Sequence, residues 1–207
     1  MMSKYLSFGG VFIALGLLLQ VVTYIVTQDT FLSLISGICG VISVVLCSQR
    51  SIHFYTFGFI QLFTYVYLCW EQNLYAEIVE NVFYFITMLY GIYEWNNHLA
   101  NDKVETKSLG INWYTVLGIT ICACGGVWGV LLHTDDTQPF MDAITTVPAF
   151  TAQILMILRF KESWYYWLFI DLGCIVMWWN AENYCMVMQY IFWSMNCIYG
   201  LTKWNKT

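Results

Sequence analysis

Residues 162–178 read ESWYYWLFIDLGCIVMW, an apolar run of membrane-spanning length with three tryptophans and one carboxylate near its middle. Trp164, Trp167, Asp171, Cys174 and Trp178 follow at steps of three, four, three and four, the spacing of one helix face. An acid at mid-bilayer depth costs roughly 2.5–3.5 kcal/mol on insertion scales, so its presence marks a functional position. Set between tryptophan faces, Asp171 makes a seat for a cationic aromatic molecule.

The surrounding composition fits that depth. Of 207 residues, 59% are apolar and 10% charged, against roughly 45–50% and 25% in a soluble domain. Too little polar surface is available to solvate a water-soluble fold, so the chain reads as an all-α integral membrane protein. Its net charge of −5 matters less than where the charges fall. Eight cysteines lie in or beside apolar runs with no C-x-x-C among them, and read as small buried residues. His53, His98 and His133 are far apart, and neither a metal site nor a cofactor is expected.

Eight spans of about 20 apolar residues can be placed, at 5–26, 30–48, 52–70, 74–95, 112–132, 139–158, 163–180 and 183–202. The first exceeds a signal-peptide core of about 7–15 residues and reads as a retained helix. With a cytoplasmic N-terminus, one side of the membrane receives Lys4, Arg50, Lys103, Lys107, Arg159, Lys161, Lys203 and Lys206, which are all eight basic residues. The opposite loops hold Asp29, Glu71, Asp135, Asp136 and Glu182. The positive-inside rule then places both termini in the cytoplasm, and the expected location is the cell's inner membrane. Residues 96–111 read as a polar connector, and Pro148 as a kink in the sixth span.

Sliding the chain by 109 residues superposes the fourth span on the eighth without a gap. Trp70 meets Trp179, Phe83 meets Phe192, Tyr90-Gly91 meets Tyr199-Gly200, Trp95-Asn96 meets Trp204-Asn205, and Arg50 meets Arg159. The third span against the seventh takes a shift of one residue more, which sets Gln61 opposite Asp171. The expected organisation is an extra N-terminal helix in 1–28, a three-helix repeat in 29–98, a loop and linking helix in 99–134, and a second, parallel repeat in 135–207. Parallel repeats about an axis along the membrane normal are a transporter plan with the substrate near the midplane.

The repeat plan resembles the SWEET architecture, and the local sequences are similar to the PnuC vitamin transporters. The stretches that carry this likeness are Gly58-Phe-Ile-Gln61, Leu74-Tyr-Ala with Asn81, Tyr90-Gly-Ile-Tyr-Glu-Trp95, Pro139-Phe-Met-Asp142, Trp164 and Trp167 with Asp171, and Tyr199-Gly200 with Trp204. They cover nearly everything after residue 30. The resemblance implies uptake of nicotinamide riboside by facilitated diffusion, made one-way by an intracellular kinase that phosphorylates the vitamin. Where the family's nicotinamide riboside importers carry W-x-x-x-N, this chain has Trp167 followed by Asp171. Thiamine is therefore the second candidate substrate and riboflavin a further one.

Both leading substrates pair an aromatic cation with a hydrogen-bonding part. Trp167 and Asp171 are the primary expected contacts. Trp164 fits an interfacial tryptophan belt as well as the site. Gln61, Asn81 and Tyr84, with Gln189, Trp193 and Asn196 on one face of the last span, are the expected polar and aromatic partners. Each of the polar ones equally fits helix-to-helix hydrogen bonding worth about 0.6 kcal/mol. The alternatives to a uniporter are a proton-coupled carrier, with Asp171 loading the proton, and a membrane enzyme or receptor. No convergent acid–base cluster, soluble signalling domain or nucleotide-binding G-x-x-x-x-G-K motif appears. The partners expected are the bilayer and a small cationic vitamin, with no nucleic acid; a homo-oligomer is compatible with the chain.

Overall fold

The computed structural model describes residues 2–71, 75–134, 139–180 and 182–205. Among them are eight α-helices and one short β-hairpin, divided between two compact units, Met1–Glu105 and Thr106–Thr207. The first unit holds α1 (Met2–Thr27), α2 (Phe31–Ser48), α3 (Phe54–Glu71), α4 (Tyr75–Asn96) and the strands β1 (Leu99–Ala100) and β2 (Lys103–Val104). The second holds α5 (Asn112–Leu131), α6 (Pro139–Ile157), α7 (Ser163–Asn180) and α8 (Tyr184–Trp204).

In each unit the helices pack in chain order, neighbour on neighbour. Small residues make this close approach in an apolar setting. Ser36, Gly40, Ser43 and Cys47 form a stripe on α2, from which Ser43 Oγ donates to Phe54 O at 3.0 Å and Ser36 Oγ to Gln61 O at 3.4 Å on α3. On α6, the buried Ala143, Ala149 and Ala152 play the same part. Every helix exposes large apolar side chains: Val11, Phe31, Phe63, Val79, Ile119, Ile154, Phe169 and Met188, one from each helix, are exposed. Hydrocarbon of that extent on the surface belongs in a bilayer, and the chain is a membrane protein.

Among the described residues, four helices are long and apolar enough by composition to cross a membrane: Gly9–Thr27 of α1, and α2, α5 and α6. The other four fall below that measure because they carry tyrosines, tryptophans, amides and acids, among them Gln61, Glu80, Asp171, Gln189 and Asn196.

The helix ends obey local rules. Thr30 caps α2 by accepting from Ser33 N, and Asn183 caps α8 by accepting from Met186 N. Helix α2 ends in a Schellman turn, with Arg50 N donating to Cys47 O at 2.9 Å and Ser51 N to Leu46 O at 3.0 Å. Helix α6 ends the same way, through Arg159 N to Met156 O at 3.0 Å and Phe160 N to Leu155 O at 2.8 Å. Arg50 and Arg159 stand at left-handed φ of 62° and 68°. The arginines paired by the sequence offset thus occupy the same turn position in their own units.

Helices α3 and α7 share their bounds and their pattern of exposure at an offset of 109 residues. Phe54 and Ser163 open them, Glu71 and Asn180 close them, and both pairs are 109 apart. Exposed positions also coincide at that offset, as at Ile60 and Phe169, Phe63 and Leu172, and Tyr67 and Val176. The extra one-residue shift expected from the sequence is absent. At that offset Asp171 corresponds to Leu62, which is also buried, and Ile170 to the half-buried Gln61.

The expected plain connector is more structured. Leu99–Ala100 pairs antiparallel with Lys103–Val104, turning through Asn101 and Asp102 at φ of 50° and 59°. Two positive φ values in a two-residue loop make a type I′ turn. Val104, fully buried, then donates its N–H to Arg50 O at 3.0 Å. In the second unit, Lys107 N donates to Arg159 O at 2.9 Å, Lys161 N to Lys107 O at 3.0 Å, and Thr106 Oγ1 to Trp204 O at 3.0 Å.

Candidate functional site

In the second unit, α7 presents Trp164, Trp167, Asp171 and Cys174 as its inner stripe, and α8 answers with Tyr190, Trp193, Asn196 and Cys197. Asp171 is 4% exposed. Among the described residues its carboxylate has one hydrogen-bond partner, the Cys197 thiol, which donates to Oδ2 at 3.3 Å. A thiol is a weak donor, whereas a buried carboxylate needs strong partners. The arrangement leaves this carboxyl group with the capacity to accept a further donor or to pair with a positive charge.

Aromatic rings surround this acid's neighbours. Trp167, Trp178 and Tyr190 pack against the cluster of Ala149, Ile170 and Cys174. Trp167 also packs against Ala152, Leu155 and Tyr166, and so spans two patches of the core. Tyr190 and Trp193 meet edge to face, with ring centroids 5.2 Å apart. The buried Trp193 indole N–H has no acceptor among the described residues. An orphaned donor and an under-bonded carboxylate on facing helices suit a solute that bears both a cation and an acceptor oxygen.

Trp164 is placed differently. It is 2% exposed and meets Trp204 edge to face at a centroid distance of 5.6 Å. A Cβ on Gly200 would lie 2.6 Å from its ring, so glycine there lets the indole seat. Its role in the described structure is to tie the end of α8 to the start of α7. In the first unit Tyr55 and Trp95, at the same offset, also meet edge to face at 5.6 Å.

Asn196 is buried and Gln189 half-buried on α8. Gln61, Asn81 and Tyr84 belong to the first unit. Gln61 is half-buried and lies beside Gly40 of α2. Asn81 is buried, and the Tyr84 hydroxyl donates to Glu80 one turn earlier. The side chain of Glu77 lies outside the described residues.

Two residues escaped the sequence reading: Tyr190 and Cys197. Tyr190, Trp193 and Cys197 stand at steps of three and four, so the periodicity that revealed α7's stripe was present in α8 as well. Reading the cysteines as inert apolar filler hid the one that bonds Asp171. That reading also misses Cys122, which is exposed on α5. No group of three metal-binding side chains occurs among the described residues.

Comparison with known proteins agrees with this architecture. The family model described as nicotinamide mononucleotide transporter matches residues 30–206. The nicotinamide riboside transporter PnuC of Haemophilus influenzae is 30% identical over 99% of this chain and 92% of its own. That of Neisseria mucosa is 27% identical over 96% of this chain and 81% of its own. A crystal structure of the vitamin B3 transporter PnuC superposes with a TM-score of 0.80 at 26% identity, covering 96% of this chain and 91% of the other. The family match leaves α1 outside and takes in every residue of the Asp171 cluster. With its membrane-facing helices, its inner stripe of tryptophans and acid, and this likeness along its length, the chain belongs to the PnuC family of transporters.

Proposed function

We propose that this protein takes up nicotinamide riboside by facilitated diffusion, with the buried Asp171 carboxylate as its cation-recognising group. The observation that carries the reading is that carboxylate, held by a single thiol between aromatic α7 and α8. The pyridinium of nicotinamide riboside supplies the positive charge. Its ribose and carboxamide supply acceptors for donors such as Trp193 Nε1. Cation–π contact with Trp167 adds about 2 kcal/mol or more once water is excluded.

The proposed site is built on Asp171, Trp167, Trp193, Gln189 and Asn196, with Trp164 at its edge. Gln61, Asn81 and Tyr84 are proposed as polar contacts, each to be tested by its own substitution. Transport is a uniport by alternating access, and phosphorylation by an intracellular kinase traps the product. All eight helices span the inner membrane, with both termini cytoplasmic. The two three-helix repeats, 29–98 and 135–207, follow the extra helix 1–28 and flank the linking segment 99–134. The matched turns at Arg50 and Arg159 and the common register of α3 and α7 support a repeat. The large apolar side chains exposed on all eight helices support the spans.

Thiamine is the second reading, favoured by the acid at a position where the family's nicotinamide riboside importers carry an amide. Counterflow into proteoliposomes with labelled nicotinamide riboside, thiamine and riboflavin in parallel decides between them. Exchange of nicotinamide riboside alone is the expected result; exchange of thiamine alone overturns the substrate assignment.

A further inference from the structure

The second unit carries a groove that the proposed transport site does not use. It lies along α5, α6 and α7 and has a volume of about 510 Å³, within the range of roughly 300–1,000 Å³ typical of ligand sites. Its walls are apolar side chains such as Leu117, Ile121, Ile144 and Phe169, and an aromatic pair stands at each end. Trp113 and Tyr165 are 5.9 Å apart between centroids at one end, Trp128 and Phe140 5.5 Å at the other. Trp113 and Trp128 are separated by about 22 Å of helix at 1.5 Å per residue, most of the roughly 30 Å hydrocarbon core. The groove therefore runs with the membrane normal, as an acyl chain does.

Nothing in the described chain fills it. A Cβ on Gly125, which lines it, would meet no heavy atom within 4 Å. Its one buried polar pair is already satisfied among the described residues: Thr120 Oγ1 stands 3.1 Å from the Tyr166 hydroxyl and donates to Val116 O at 2.9 Å. The lining calls for hydrocarbon.

The Trp113 end is basic. Phe160 packs with Trp113 against the same core cluster, and Lys107 Nζ lies 4.5 Å over the Phe160 ring. Backbone pairing of Lys107 with Arg159 and Lys161 brings both lysines to one junction. Neither has a carboxylate within 4.0 Å among the described residues. The nearby acid, Glu162, is turned inward and accepts from Ser108. An apolar groove whose Trp113 end adjoins a junction carrying Lys107, with its ammonium over the Phe160 ring, and Lys161, joined to it through the backbone, matches an anionic phospholipid. The length of the groove along α5, close to that of the hydrocarbon core, and the cationic side chains near its Trp113 end favour a lipid over a second protein chain.

We propose that this groove binds an anionic phospholipid, with one acyl chain along α5 and the phosphate held by Lys107 and Lys161. The proposal does not depend on which solute is carried. It is tested on the full chain by native mass spectrometry, titrating the detergent-solubilised protein with phosphatidylglycerol or phosphatidylcholine. Phosphatidylglycerol should be retained preferentially, and Lys107→Gln and Lys161→Gln should each weaken retention about five-fold. Gly125→Leu, which fills the groove, should abolish it. Ile121→Trp, at an exposed groove position, provides the same block should Gly125→Leu fail to fold. Equal retention of the two lipids, or retention unchanged by blocking the groove, overturns the proposal. So does photo-crosslinking from position 121 to a second copy of the chain instead of to lipid.

Discussion

Cys197 Sγ and Asp171 Oδ2 stand 3.3 Å apart, thiol donating to carboxylate, with both residues buried between α7 and α8. This contact keeps the acid from being wholly unpartnered while leaving it capacity for a stronger interaction. At the proposed site, a positively charged solute bonds the acid without first breaking a strong bond inside the protein, which favours loading.

Asp171→Ala should abolish saturable uptake while the protein still inserts, as measured by proteoliposome uptake alongside thermal unfolding. If nicotinamide riboside is the substrate, Asp171→Asn should retain part of the activity, because an amide supplies an acceptor at the same position. Normal transport by Asp171→Ala would remove the residue from the site.

Cys197→Ser preserves a donor and should bind substrate close to normally. Cys197→Val removes it and leaves the carboxylate without its partner, at a cost of about 1–3 kcal/mol in folding stability. Thermal unfolding of the two variants in the same detergent checks the difference, and equal melting temperatures would mean that the thiol contributes nothing.

Gly200→Ala should destabilise the protein by about 1–3 kcal/mol, the usual range for overpacking a filled site. The added methyl group would stand 2.6 Å from the Trp164 ring, which is held by Trp204 and has no room to retreat. Trp164→Leu in the same chain should recover part of the loss in a thermal-unfolding double-mutant cycle, since the two changes share one contact.

Glu182→Gly should stabilise the protein. Glu182 is exposed and ends α7 at φ 57°, in a turn closed by Glu182 N to Trp179 O at 3.1 Å and Asn183 N to Trp178 O at 3.0 Å. A side chain in left-handed backbone costs about 1–2 kcal/mol that glycine avoids. A rise in melting temperature with unaltered uptake is the expected outcome.

Uniport and proton coupling separate on a gradient. With the membrane potential clamped by potassium and valinomycin, a uniporter's initial uptake is unaffected by an inward proton gradient or by a protonophore at fixed external pH. Stimulation by the gradient that collapses with the protonophore would instead assign Asp171 a proton-loading role.

Hydrophobic length and helical spacing alone were enough to establish an all-α membrane protein and to place Trp167 and Asp171 on one face of one helix. Those properties are written in consecutive residues, because a helix repeats every 3.6 residues and every apolar residue must meet hydrocarbon or core. The likeness of Arg50 to Arg159 and of Trp95 to Trp204 was legible for the same reason. Neighbours across helices were not. That Cys197 meets Asp171, that Trp164 turns onto Gly200 and Trp204, and that Leu62 stands at the register of Asp171 were decided by tertiary structure. A periodic pattern specifies which face is buried but carries no information on which residue of the next helix lies opposite. The hairpin at Asn101 and Asp102 was hidden for a related reason: its main partner is the Arg50 carbonyl, far away in sequence and supplied only by folding.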